Sequence, residues 1–183
     1  NYLNNSGELI AAHFDENSNN NYLKKIRKNF EKKMDSNSIY EGVKIVDLTS
    51  GLTEPSSADA VLTFRNLHNW LGSTMDTIFA NSFKALKSGG IFGVVEHRAE
   101  VGTSIQNMKK SGYVTEEHAI EVAKKHGFVL VSKSEINSNP KDLKNYEKGV
   151  WTLPPSLRLK EKNKAKYLAI GESDRMTLLF KKP

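Results

Sequence analysis

The chain has 183 residues, 38% hydrophobic and 26% charged, with a formal net charge of +6 and no cysteine. This is the composition of an ordinary globular chain, long enough for one domain with a buried core. The missing cysteine excludes disulfides, thiolate metal ligands and a cysteine nucleophile, and no apolar run approaches the ~20 residues that cross a bilayer.

The charge is uneven. Residues 141–183 hold 11 Lys/Arg against 5 Asp/Glu, whereas residues 1–140 hold 16 of each. A basic end of this kind keeps a surface solvated, or it meets an anionic substrate or nucleic acid.

In chain order, "ELIAAHF" (8–14) reads as a strand. A helix over 22–34 follows, with Leu23, Ile26, Phe30 and Met34 on one face. "VKIVDL" (43–48) and "ADAVLTF" (58–64) are the next strands, the latter with the apolar density of a buried one. A helix is predicted over 73–88, with Met75, Ile78, Phe79, Ser82, Phe83 and Leu86 inward, Lys84 and Lys87 in the last turn and Gly89 as its stop. "IFGVVE" (91–96) is a strand. Thr115 caps a helix over 116–126 that ends at Gly127, and His118 and His126 on it read as surface residues. "FVLVSKSEI" (128–136) and "RMTLLFKK" (175–182) complete the strands.

Strands of this kind between amphipathic helices predict an α/β fold with a largely parallel sheet covered on both faces. Ligands then bind beyond the carboxyl ends of the strands. "RNLHNW" (65–70) stands at such an end, and Asn69 and Trp70 are candidate substrate contacts there.

The segment "FANSFKALKSGGIFGVVEHRA" (79–99) resembles the helix, LK-x-GG turn and acidic-ended strand of class I S-adenosylmethionine-dependent methyltransferases. "ADAVLTFRNLHNW" resembles that superfamily's preceding strand and loop, and "EEHAIEVAKKHGFVLVSKSEI" its later helix, turn and strand. Together with "SEINSNPKD", "GVWTLPPS" and "YLAIGESDRMTL", these segments resemble a group of predicted bacterial methyltransferases with no settled substrate. The resemblance implies a three-layer Rossmann-like sheet, mostly parallel with an antiparallel last strand, in a single domain over residues 1–183.

It also implies a first strand with a glycine loop, and the sequence contains no G-x-G. "NYLNNSGEL" reads as the tail of a helix entering the second strand, so the expectation is that this first strand lies upstream. Its place would be between 8–14 and 58–64. Two open edges would then favour a homodimer or weak cofactor binding.

By the same resemblance, S-adenosylmethionine is the cofactor. His13 or Asp15 would hold its ribose, the choice being open between closer alignment and better chemistry. Asp47 would lie by the adenine, and Arg65 and Asn66 by the methionine end. Turn formation by Asp15 and Asp47 and a salt bridge by Arg65 are the competing structural readings. His68, His97 and Glu96 are the catalytic candidates, since an imidazole can take a proton from the methyl acceptor near neutral pH. No histidine pair has metal-ligand spacing in sequence, so no metal is expected.

The resemblance makes 137–174 a connection crossing the active-site face, and its length suits a lid or substrate insert. Trp151 and Arg158 within it are further substrate contacts, Trp151 as a stacking wall or as packing for the insert. The expected acceptor is a small molecule and the expected compartment the cytoplasm. Action on RNA, DNA or protein, or a non-catalytic binding role, is the alternative. The missing cysteine and the absence of an Asn/Asp-Pro-Pro-aromatic loop argue against the nucleobase reactions.

Overall fold

The computed structural model describes residues 7–183. Its elements are β1 (Ile10–His13), α1 (Asn21–Asp35), β2 (Lys44–Asp47), β3 (Ala58–Phe64), α2 (Leu67–Trp70), α3 (Ser73–Ala85), β4 (Leu86–His97), α4 (Ile105–Ser111), α5 (Glu116–Lys125), β5 (Val129–Ser134), α6 (Lys164–Ile170) and β6 (Arg175–Lys181). The helix tail expected at the start of the chain lies outside the described residues.

The strands form two sheets. β1 and β2 pair in parallel, from Ile10 opposite Lys44 to His13 opposite Asp47. The second sheet has the order β3-β4-β6-β5, with β3 parallel to β4 and β6 antiparallel to both of its neighbours. A mostly parallel arrangement with an antiparallel last strand is therefore observed. No ladder joins the sheets among the described residues, so β1 and β3 each pair with one neighbour only. The break falls where the resemblance puts a further strand. Asn81 on α3 spans it by donating to the Thr49 carbonyl at 3.0 Å.

Alternation along β4 sends Phe92, Val94 and Glu96 to one face, where all three are buried. There Met75, Ile78 and Phe79 of α3, Met108 of α4 and Ala119 and Ala123 of α5 close over Phe92, Val94, Met176, Leu178 and Phe180. The opposite face is open among the described residues, with Leu62 and Phe64 58% and 57% exposed and Val129 and Val131 also exposed. β3 is thus buried on one side only.

The helix expected over 73–88 ends at Ala85. Leu86 is fully buried in extended backbone opposite Ala58, and Lys87 turns to Asp59 at 2.6 Å instead of completing a helical turn. Core burial of Leu86 has overridden the helical pattern. Gly89 and Gly90 serve the bend that follows: a Cβ on Gly90 would lie 2.9 Å from the Lys87 carbonyl. α1 and α5 lie close to expectation, and the Thr115 hydroxyl accepts from the His118 N–H at 3.2 Å. α2, α4 and α6 are short helices that the apolar pattern did not reveal.

The segment 137–174 contains α6 and a short 3-10 turn at Gly149–Thr152. Polar groups tie it down. Buried Asp142 accepts from the Tyr113 hydroxyl at 3.1 and 3.0 Å and from the Asp174 N–H at 2.8 Å. Arg98, just after β4, grips Asp174 with Nε at 3.0 Å and Nη2 at 2.8 Å, and also reaches Glu116 and Glu135.

Burial opposes ionisation of Asp174, but donors from Arg98, Asn139 and Lys144 outweigh it and hold the carboxyl at about 2 against an ordinary 3.8. A carboxyl depressed in the fold stabilises it above the unfolded value and gives that stability up as pH falls toward the folded one. Unfolding free energies from urea titrations should therefore fall as pH drops from 3.8 to about 2. Asp174→Asn should flatten that limb and, by leaving Arg98 partly uncompensated, cost about 3 kcal/mol at neutral pH.

Candidate active site

The carboxyl ends of β3 and β4 lie side by side, with Phe64 opposite Val95. The Arg65 N–H donates to the Val95 carbonyl at 2.7 Å, and Arg65 itself takes a left-handed backbone, φ +57°. That bend turns the chain into α2 and brings His68 over the end of β4. A non-glycine residue in this region is strained, and such strain gathers at functional sites.

Glu96 is fully buried, on the core side of β4. Its Oε1 lies 3.0 Å from His68 Nδ1 and accepts the His97 N–H at 2.8 Å, while Oε2 accepts the His68 N–H at 3.3 Å. With two backbone donors already on the carboxylate, the ring proton belongs on His68 Nδ1. His68 Nε2 then has no protein partner among the described residues, although only 7% of the side chain is exposed.

His97 Nδ1 lies 2.5 Å from the Ser173 hydroxyl, and the two imidazole rings are 5.4 Å apart. Ligand atoms of His68, Glu96 and His97 all lie within 4.8 Å of one another. Residues without metal-ligand spacing in sequence are thus close in space, and as they stand a hydrogen bond occupies the gap between His68 and Glu96.

Trp151 walls this cluster, its ring edge-on to His68 at 5.8 Å. Two glycines bring the insert this near. A Cβ on Gly112 would sit 2.7 Å from Val150 and 2.9 Å from Trp151, and one on Gly149 would strike the Ser111 carbonyl at 2.1 Å. Arg158 lies over the Trp151 ring, its guanidinium carbon 4.5 Å from the centroid.

The other candidates separate. The half-buried Asp15 holds its own turn by accepting the Asn17 N–H at 2.8 Å. His13 stacks on Phe30 at 4.7 Å and accepts the Phe14 N–H, which commits it to packing. Asp47 accepts from Thr49 and Ser50 at the turn after β2. Burial disfavours its charge, but these hydrogen bonds hold its carboxyl below the ordinary value. Asn66 donates to the Phe64 carbonyl at 3.2 Å, and Asn69 is exposed on α2.

Trp70 does not line the cluster. It belongs to the main core with Leu67 and Leu71, and its indole N–H is buried without a partner. Nor are His118 and His126 simple surface residues: Nε2 of the first is enclosed, and the second bonds Asp76 on α3 at 2.9 Å. Arg98, Tyr113 and Ser173 support the site and were not singled out from sequence. The run Glu96–His97–Arg98 at a strand end was the available signal.

Burial pushes the His97 imidazole down to about 4 from 6.5, with Glu96 opposing and His68, Arg65 and Arg175 assisting. Between these values the unfolded chain binds the proton and the folded one does not, so this contribution to stability is complete above 6.5 and declines toward pH 4. Ring-proton NMR should place the His97 midpoint near 4. His97→Gln should remove the matching slope from the stability–pH profile.

No family model and no curated relative matches the sequence. Solved structures do. The cyclase SpnF superposes with a TM-score of 0.60 at 16% identity, over 97% of this chain and 75% of that one. Geranyl diphosphate methyltransferase in complex with S-adenosylmethionine gives 0.57 at 9%, over 96% and 69%. A TehB-like S-adenosylmethionine-dependent methyltransferase from Corynebacterium glutamicum gives 0.51 at 13%, over 96% and 80%. The chain has the fold of the class I S-adenosylmethionine-dependent methyltransferases.

Proposed function

We propose that this protein transfers a methyl group from S-adenosylmethionine to a small molecule, with His68 as general base and Glu96 as the residue that positions it. One neighbour in this fold is a cyclase, so the reading does not rest on architecture alone. It rests on the buried His68–Glu96 pair at the adjoining ends of two parallel strands, walled by Trp151.

The donors present suit the cofactor. Asp15 keeps one carboxylate oxygen without a partner among the described residues, which suits the two hydroxyls of a ribose. His13 is taken up by Phe30, so the choice between them falls to Asp15. Arg65 begins the segment beside the methionine end, and its exposed guanidinium remains free to pair with a carboxylate. Asn66 adjoins it, and Asp47 stands at the end of β2 for the adenine side. When bound, the cofactor supplies an electrophilic methyl on a sulfonium and leaves as the neutral thioether.

The chain supplies alignment and a proton acceptor. The Glu96 carboxylate fixes the ring of His68 and its tautomer, leaving Nε2 to take the proton from the acceptor's O–H or N–H. The imidazolium so formed faces a buried carboxylate that stabilises it. His97, kept neutral and bonded to Ser173, orders the adjoining loop. The 137–174 segment acts as a cover whose Trp151 narrows the approach, and the small exposure of His68 favours a small acceptor over a polymer chain.

His68→Ala and Glu96→Gln should each lower turnover by about 100-fold or more, with S-adenosylmethionine affinity changed by less than about threefold. The check is a small-molecule panel with methyl-labelled donor, paired with calorimetric titration of the cofactor. Unchanged turnover in both variants would remove the base from the mechanism.

A further inference from the structure

We propose that the methyl acceptor carries an oxyanion, a carboxylate or a phosphate, gripped by Arg158 against Trp151 and by Arg65 at the end of β3. This rests on the reading of His68 as the base.

The chain has five arginines. Three are matched to acids: Arg27 to Glu31, Arg98 to Asp174, Glu116 and Glu135, and Arg175 to Glu172. Among the described residues, the side chains of Arg65 and Arg158 have neither an ion pair nor a hydrogen bond. Both stand near the histidine cluster. Arg65 follows β3, three residues before His68, and its charge is one of those disfavouring protonation of His97. Arg158 is stacked on the tryptophan whose edge meets His68.

Arg158 is also held in place. Leu157 takes a left-handed backbone, φ +44°, and donates its N–H to the Leu153 carbonyl at 3.1 Å. The next N–H, that of Arg158, returns to the Trp151 carbonyl at 2.9 Å. The chain folds back on itself and lays the guanidinium on the indole. A guanidinium stacked by its face keeps its N–H edges free, and those edges match a carboxylate or phosphate in two parallel bonds.

Solvation alone is served by lysines elsewhere on the insert, and Lys162 and Lys164 there are already paired with Glu147 and Glu161. An unpaired guanidinium laid on the tryptophan that meets the base does something different. It draws in an anionic acceptor and disfavours a cationic amine.

The test needs neither cofactor nor turnover. Trp70 and Trp151 are the two tryptophans of the chain, so in a Trp70→Phe background the emission reports on Trp151 alone. Inorganic phosphate and citrate are titrated at constant ionic strength set with chloride, and isothermal calorimetry on the unmodified protein repeats the measurement. A saturable response is expected, and Arg158→Gln and Arg65→Gln should each weaken it by about tenfold or more. Lys162→Gln should leave it unchanged.

A response to phosphate alone assigns a phosphate acceptor, and one to citrate alone a carboxylate. No saturable response to either anion, or undiminished affinity in both arginine variants, overturns the proposal. His68→Ala should bind these anions as the parent does. Full turnover in that variant would dismiss the base while the anion site stood.

Discussion

The Arg98 guanidinium is the tie on which the site depends. It sits directly after β4, the strand that delivers Glu96 and His97, and its fork closes on Asp174, immediately before β6. The other N–H groups reach Glu116 at the start of α5 and Glu135 beyond β5. Four parts of the chain are thereby referred to one planar group of fixed geometry. The Glu135 contact is solvent-exposed and screened, whereas Asp174 is 5% exposed and accepts in addition from Lys144 and the Asn139 N–H. The buried member carries the weight, because removing either partner there strands a charge away from water.

That tie also fixes the insert. Asp174 N–H meets the Asp142 carboxylate, which takes the Tyr113 hydroxyl, and Tyr113 packs with Ala99, Val150 and Trp151 in a small second core. A polar chain thus runs from the end of β4 into the insert and back to the wall of the site. Ser173, next to Asp174, contacts the His97 ring, so the residue that stabilises the insert has a neighbour that orders the histidine loop. Fold stability and the alignment of the cluster rest on the same few groups.

Local periodicity made much of this legible. β3 was readable to the residue, α1 and α5 nearly so, and the parallel order followed from apolar strands separated by helices. The end of α3 was not, because the helical phase of Leu86 is locally acceptable and only the sheet gives it a better place. His68 and Glu96 could each be put at a strand end, but their hydrogen bond spans 28 residues and no sequence pattern carries it. The two tryptophans show the same limit. Trp70 stands within the polar loop yet turns into the core, whereas Trp151, far along the chain, reaches the histidines because Gly112 and Gly149 allow the backbones to approach. Arg98 escaped notice for want of context: its four acidic and hydroxylic neighbours lie 18 to 76 residues away.

The charges around the two imidazoles are arranged by depth. A carboxylate lies beneath His68 on the core side of β4, while Arg65 and Arg158 stand exposed on the solvent side without acids of their own. The hydrogen bond to Glu96 holds the His68 ring proton on the buried side, which leaves the outer nitrogen as a lone-pair donor. On the proposed reading, the two unpaired guanidinium groups would favour an anion at the mouth. An incoming oxyanion would then be met by cations already in place, while Glu96 holds the ring from the core side. Acceptor binding and alignment of the ring would then draw on separate charges, with no movement of the strands required.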